Sequence, residues 1–230
     1  MALPISGLNL SRTGNRTLRI GAGQCKDTTD SHVLMVNPGS PVNIDADTTG
    51  ANGLDTGSLQ AGKAYSVWVI KGGGSGVGGL LSAEFDAGSV SFPAGTTAVR
   101  RVGTVITGAS GPAAFIPFGQ SGGSNERKMT WTTAQGTRKV LDGGTATTWT
   151  AVDVSALVGP TTHTTHFFLQ PSGTTLEVAQ GGGSTVPVVT TSSPISNDFW
   201  MGSESGETGY KIAPGGGSAT MIVNGFTETV

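Results

Sequence analysis

Tyr65-Ser-Val-Trp-Val-Ile70 is the strongest predicted strand of this chain. Its almost continuous run of β-branched and aromatic residues is typical of a central strand that is covered on both faces. Glycine-rich residues 71–79 interrupt the run, and residues 80–85 are again largely apolar. The pattern predicts a hairpin with a long tip, because a phosphate-binding loop would need a helix after it.

Short apolar or alternating runs recur on both sides of this strand, and turn residues separate them. Glycine supplies 38 of the 230 residues, and Gly or Pro interrupts nearly every window that is long enough for a helix. Both residues are costly in helix interiors, so we predict an all-β fold of many short strands. The predicted strands are residues 16–20, 33–36, 64–71, 79–85, 98–106, 128–133, 147–154, 163–170, 186–190 and 220–227.

The chain divides near its middle at residues 121–126, which are rich in glycine and serine and are interpreted as a linker. Residues 19–120 form a predicted β-rich first domain. Residues 127–230 form a predicted second domain, an antiparallel β-sandwich of jelly-roll-like type. Residues 1–18 lack an evident core of their own, so we expect a short N-terminal anchoring arm that docks on a neighbouring subunit.

The composition restricts the classes of partner. Charged residues make up 12% of the chain and the net charge is −2, which excludes a basic surface for nucleic acid. The first residues carry neither a basic region nor a long apolar stretch, so neither a signal peptide nor membrane insertion is expected. The single cysteine, Cys25, excludes an intramolecular disulfide and favours assembly in a reducing cytoplasm. Although Lys26 lies beside it, Cys25 is interpreted as a buried apolar residue.

Two glycine motifs resemble enzyme signatures but lack what the chemistry needs. Gly119-x-Ser121-x-Gly123 has the spacing of a nucleophile elbow, which requires a helix after the serine, whereas an extended run follows here. Residues 57–63 begin like a phosphate-binding P-loop, but Ala64 stands where the metal-binding hydroxyl is needed. Both motifs are therefore interpreted as loops.

No metal or cofactor site is predicted, although Asp45-Ala-Asp47-Thr-Thr49 opens like a calcium loop. Thr49 and Thr56 stand at the fifth and twelfth positions of such a loop, where an EF-hand needs Asp or Asn and Glu, so an EF-hand is excluded. A solvated polar turn is favoured over a loose calcium site that would include Asp55.

His163 and His166 form a second arrangement that could suggest a metal. Residues three apart on a strand point to opposite faces, so the two rings cannot share an ion within one chain. A ring of three histidines around a threefold axis is the alternative that stays open.

Four ordered segments carry a resemblance to a known family. Residues 18–29, Leu-Arg-Ile-Gly-Ala-Gly-Gln-Cys-Lys-Asp-Thr-Thr, resemble an I-x-x-G-Q-C-x-D-S-T signature. Residues 50–59, Gly-Ala-Asn-Gly-Leu-Asp-Thr-Gly-Ser-Leu, resemble a G-x-N-G-L-D-T-G-x-L signature. The aromatic strand at 64–70 and the Pro-x-Gly and Arg-Arg-x-Gly elements of residues 92–106 follow in the same order.

These segments are similar to those of surface proteins of tailed bacteriophages, namely head-fibre, capsid-decoration and tail-fibre proteins. The resemblance covers residues 18–120 well and the second half more loosely, and Asp27-Thr-Thr-Asp30 departs from the family's more frequent Asp-Ser-Thr-Asn. It implies a structural virion protein, and the family offers no catalytic residues to carry over.

The signature residues are interpreted as fold residues. Gly53 and Gly57 supply turn positions that tolerate positive φ, and the turns lead the chain into the strand of Trp68. Arg100 and Arg101 are the most notable charges, because they lie side by side in an apolar strand. They point to opposite faces, and solvated arginines are the favoured interpretation, with one of them paired to a carboxylate within or between subunits as the alternative.

Three functions follow for testing, and the first is favoured. It is a capsid decoration or head-fibre protein on the virion surface, a homotrimer that binds the major capsid protein through its N-terminal arm. The second is a tail-fibre or receptor-binding protein that contacts a host glycan or protein. The third, an enzyme, is not expected, because no spacing selects a carboxylate pair. The candidates for sugar contact are Trp131, Trp149, Phe199 and Trp200, and the carboxylates considered are Glu84, Asp86, Glu204 and Glu207.

Overall fold

A computed structural model of the protein describes residues 5–72, 76–109, 111–123, 125–132, 138–180, 187–200 and 207–230. The predicted all-β class is confirmed, since the described residues form twenty strands that pair into multiple antiparallel sheets. They divide into two compact units, residues 1–129 with 229–230, and residues 130–228. Among the described residues, no helix has the length and apolar character needed to cross a membrane.

The first unit contains three sheets, with strand orders β1-β4-β5, β2-β3-β6 and β10-β8-β9-β7. All pairs are antiparallel except β7 with β9. The strands of these sheets are β1 (Ser6–Gly7), β2 (Leu10–Arg12), β3 (Thr17–Ile20), β4 (Gly23–Lys26), β5 (Val33–Val36), β6 (Val42–Asp45), β7 (Gly53–Leu54), β8 (Ala64–Gly72), β9 (Val77–Ser82) and β10 (Thr96–Ile106). They are followed by β11 (Phe118–Ser121) and by β12 (Glu126–Trp131), which begins in the first unit and ends in the second.

The aromatic strand lies where the sequence predicts it. β8 pairs with β9 on one side and β10 on the other, and residues 65–70 are all buried. Trp68 packs edge-on against Phe92, with 5.5 Å between the ring centroids, in a cluster with Ile70 and Leu80. The β8–β9 pairing is the predicted hairpin, and residues 73–75 of its tip lie outside the described residues.

The N-terminal segment differs from the expected arm. β2 pairs with β3, which pairs with β6, and the side chains of Leu8, Leu10 and Leu18 are buried in the first unit. The difference arises because the segment is completed by strand pairing that its own sequence does not report, with Leu10 opposite Ile20 and Leu18 opposite Ile44.

Residues 121–126 also differ from the expected linker. Ser121 ends β11, Glu126 begins β12, and the amide of Glu126 donates to the carbonyl of Gly123 at 3.2 Å. The glycines therefore make a turn between two strands, and the compact units divide after Met129.

Strands β13 to β20 of the second unit pair in two orders, β13-β20-β15-β18 and β14-β19-β16-β17. Eight strands in this order are consistent with the jelly-roll-like sandwich that the sequence predicts. The strands are β13 (Lys139–Gly144), β14 (Thr150–Asp153), β15 (Thr162–Ser172), β16 (Leu176–Gln180), β17 (Pro187–Thr191), β18 (Ile195–Trp200), β19 (Glu207–Ile212) and β20 (Ser218–Thr229).

Candidate functional site

The first signature forms the connection between β4 and β5. The carboxylate of Asp27 is buried and accepts hydrogen bonds from the amides of Ser31 at 2.8 Å and His32 at 3.1 Å. The hydroxyl of Thr29 also donates to it, at 2.9 Å, and Nδ1 of His32 lies 3.1 Å from Oδ2. Asp30 has φ of +60°, a conformation that Asp and Asn adopt more readily than other side chains. An asparagine at position 30 would therefore preserve the turn.

Burial of the Asp27 carboxyl opposes its ionisation, but the hydrogen bonds from the main chain and ring of His32, from Thr29 and from Ser31 prevail. Together they lower the pKa of Asp27 from 3.8 to about 2. The aspartate of this signature is thus ionised at neutral pH and holds the loop closed as a hydrogen-bond acceptor.

The second signature attaches the segment before β8 to strand β9. Asn52 has φ of +65°, its amide donates to the carbonyl of Gly79 at 2.7 Å, and its Oδ1 accepts the amide of Gly79 at 2.9 Å. A Cβ on Gly53 would lie 2.5 Å from Oγ1 of Thr48, which explains a glycine there. Asp55 accepts the hydroxyl of Ser82, at the end of β9, at 2.7 Å. These residues position β9 beside the central strand.

A cleft of about 430 Å³ opens beside this signature loop. Its lining includes Asp55, Lys63, Tyr65 and Glu84, so charges of both signs face it. Two of these groups already have protein partners, because Asp55 accepts from Ser82 and the Tyr65 hydroxyl accepts the amide of Gln60 at 2.8 Å. The cleft offers polar contacts, and we assign it no chemistry.

Arg100 and Arg101 bind the last residues of the chain, which belong to the first unit. Arg100 donates to the carbonyl of Val230 at 3.0 Å, and Arg101 donates to the carbonyl of Thr229. The guanidinium of Arg101 also lies 5.9 Å from the ring centroid of Phe85. Both arginines thus donate to main-chain carbonyls of the last two residues, and each also donates to a polar side chain, Arg100 to Asn125 and Arg101 to Thr104, both at 3.4 Å.

Cys25 is buried in β4, as the sequence suggests. Burial raises the pKa of its thiol to about 11, although the positive charges of Arg100 and Arg127 act in the opposite direction. We expect native Cys25 to react with a maleimide at pH 8 about 100-fold more slowly than the same residue in denaturant, because two pKa units remove most of the thiolate. Comparable rates in the two conditions would contradict the burial of this residue.

The arrangements considered for metals have other partners. The Asp47 carboxylate forms an ion pair with Arg16 at 2.5 Å, and Asp45 accepts the Asp47 amide at 3.0 Å. His166 is buried with Nε2 3.0 Å from the Thr227 hydroxyl, and Nδ1 of His163 lies 3.1 Å from the Thr164 hydroxyl. Within the described ranges, no group of three or more acidic, His or Cys residues could hold a metal ion.

The glycine motifs lie in loops and strands. Ser121 ends β11, and Glu126 begins β12. Lys63 lies in the turn before β8, where its amide donates to the Thr107 hydroxyl at 2.9 Å. Neither motif is followed by the helix that its chemistry needs.

The four aromatic candidates have different environments. Trp131 is buried with its ring 5.6 Å from that of Phe226, so it is a core residue. Trp149 is half-buried, and Nζ of Lys211 lies 4.9 Å from its ring centroid. The side chains of Phe199 and Trp200 lie outside the described residues.

Of the four carboxylates, Glu84 lines the cleft and Asp86 accepts the amide of Gly88 at 3.0 Å in a turn. Glu204 and the side chain of Glu207 lie outside the described residues.

Comparison with known proteins yields no match to a family model, to a curated protein or to a solved structure.

Proposed function

We propose that this chain is a structural protein of a tailed-phage virion, displayed on the outside of the particle as a capsid decoration or head-fibre protein. The proposal rests on the hydrogen bonds that the polar residues of the two signatures form. Asp27, Asn52 and Asp55 direct their polar atoms at the protein's own main chain and hydroxyl groups. These residues stabilise the loops of the protein itself, and a stable surface shape is what a structural subunit contributes to an assembly.

The second unit and the surface composition support the same proposal. Jelly rolls occur in viral capsid proteins and in lectins. A surface with few charges is suited to close contact with other subunits, because little charge has to be desolvated. The proposed partners are the major capsid protein and further copies of the chain, for which a homotrimer is the expectation from the resemblance.

Particles that lack this protein test the proposal. We expect a phage with the coding segment deleted to assemble heads that release their DNA at lower temperature than wild-type heads. Restoring the protein from a plasmid should recover the wild-type release temperature. Heads of unchanged stability, with the protein found on tails alone, would contradict the head-decoration proposal.

A receptor-binding role is the second candidate, and Trp149 is the residue that favours it. Lys211, above the Trp149 ring, forms an ion pair with Glu177 at 3.1 Å, and Glu177 and Lys211 are directly paired across β16 and β19. An aromatic ring beside two charged side chains is a surface that can contact a sugar. On this alternative, purified protein at saturating concentration reduces phage adsorption and its Trp149→Ala variant reduces it less. No competition by either protein would count against the alternative.

A further inference from the structure

Strand β5, Val33-Leu-Met-Val36, has an unprotected edge. It pairs with β4 on one side, and among the described residues no strand pairs with its other side. Leu34 and Val36 are buried, whereas Val33 and Met35 on the opposite face are 49% and 53% exposed. Within the described part of the chain, these two are the large apolar side chains with substantial exposure. An apolar edge of this kind is a template for pairing with another strand.

The other edge strands carry features that discourage pairing. Natural sheets protect their edges with charged residues, proline, bulges or very short strands. β1 and β7 have two residues each, β17 begins with Pro187, and the exposed side chain of β11 is that of Ser121. Five further edge strands contain a charged residue: Arg12 in β2, Asp45 in β6, Arg100 and Arg101 in β10, Lys139 and Asp142 in β13 and Asp153 in β14.

We propose that β5 pairs with β5 of a second copy of this chain, antiparallel, around a twofold axis at Leu34. This register places Val33 of each copy opposite Met35 of the other. The exposed apolar side chains become cross-strand neighbours on one face, and the free edge gains a ladder of main-chain hydrogen bonds. A twofold contact uses the same patch on both copies, and β5 meets that requirement because its exposed apolar residues, Val33 and Met35, lie symmetrically on either side of Leu34.

The charged residues around β5 are compatible with a second copy of the chain as the partner. In the proposed register, His32 faces Val36 and Asp30 faces Pro38, so no charged side chain meets one of the same sign. The contact is small beside the ~1,200–2,000 Å² of a stable interface. We therefore expect a weak dimer in dilute solution that becomes populated when copies are held close together, for example on a particle surface. The pairing is argued from the strand alone and does not depend on the proposed location in the virion.

Disulfide trapping of two single variants tests the register. In the proposed pairing, residue 33 lies opposite residue 35 of the other copy, within the Cα distance of ~4.4–6.8 Å that a disulfide spans. Equivalent residues of the two copies are offset by two positions, which is ~7 Å along the strand, so they are out of reach. We expect an equimolar mixture of Val33→Cys and Met35→Cys, oxidised with copper phenanthroline, to give at least fivefold more disulfide dimer than either variant alone. The unmodified chain, with its buried Cys25, is the background control.

Equal trapping in the mixture and in the single variants would overturn the proposed register. No trapping at millimolar protein would overturn the pairing itself.

Sedimentation of a charged variant provides an independent measurement. Met35→Lys should weaken self-association at least tenfold with no change in the melting temperature of the monomer, because position 35 is exposed there. Ser11→Lys, at an exposed position of β2, is the matched control and should leave association unchanged. Self-association that is equally strong in Met35→Lys, or a trimer that is insensitive to this change, would contradict the proposal.

Discussion

Gly23→Ala is expected to prevent stable folding of the first unit, with a loss of at least about 3 kcal/mol. Gly23 begins β4 with φ of +157°, opposite Gly7 of β1. A Cβ there would overlap the main-chain oxygen of Ser6 and the main-chain nitrogen of Leu8. It would also lie 2.8 Å from the carbonyl carbon of Gly7. These are backbone atoms of a paired strand, so no side-chain rotation can relieve the overlap.

Urea unfolding with Cys25 labelling as the readout measures this effect, because Cys25 lies two residues away in the same strand. Gly21→Ala is the matched control, since its Cβ would meet nothing nearer than the carbonyl oxygen of Asn9 at 3.4 Å. We expect the control to stay within about 1 kcal/mol of the wild type. Equal losses in the two variants would contradict the close approach of β1 to Gly23.

Asp27→Asn is expected to remove about 2 kcal/mol of stability at pH 7 and to flatten the response to acid. The pKa of Asp27 is about 2 in the folded protein, below its ordinary value of 3.8, so the unfolded chain takes up the proton first as the pH falls. The contribution of the carboxylate is therefore complete above pH ~4 and is lost as the pH falls from ~4 to ~2. The difference of nearly two pKa units corresponds to about 2 kcal/mol for this buried group.

The free energy of unfolding, measured between pH 7 and pH 2 for both proteins, tests this expectation. The wild-type and Asp27→Asn curves should converge at the acid end. Asp30→Asn is the control in the same loop, because Asp30 is exposed and asparagine also tolerates its positive φ. If the free energies of unfolding of wild type and Asp27→Asn stay equally far apart down to pH 2, the Asp27 carboxylate does not stabilise the loop.

The sequence predicts those parts of the fold that depend on neighbouring residues. The strand at Tyr65–Ile70 is recognisable because its apolar run is long and contains β-branched and aromatic residues, and it lies at the centre of its sheet. The turn at Asn52-Gly53 is recognisable because this dipeptide favours turns. The interpretation of the second signature as a fold element agrees with the contacts of Asn52 and Asp55.

Contacts between distant residues account for what the sequence could not predict. Arg127 is buried and donates to the carbonyl of Gly7 at 2.7 Å and to Asn9 at 2.9 Å, partners 120 and 118 residues away. Such a contact makes the N-terminal segment part of the first unit. It cannot be predicted from the pattern of apolar and polar residues along the segment. The carbonyls bound by Arg100 and Arg101 are 130 and 128 residues away.

The exposed edge of β5 carries a signal that sequence reasoning missed. Val33-Leu-Met-Val36 is apolar at every position, whereas a strand with one face in solvent usually alternates apolar and polar residues. Such a run is consistent with burial on both faces, and the structure buries Leu34 and Val36 while exposing Val33 and Met35. β5 thus has two more apolar side chains than the single chain buries, and pairing with a second copy would cover them.

The most direct test of the proposed function is an image of purified particles with this protein labelled. Particles of the phage that encodes the chain, carrying a gold label on an epitope fused to the protein, would be examined by electron microscopy. The account predicts label distributed over the outside of the head. Label confined to the tail, or particles that carry none, would contradict it.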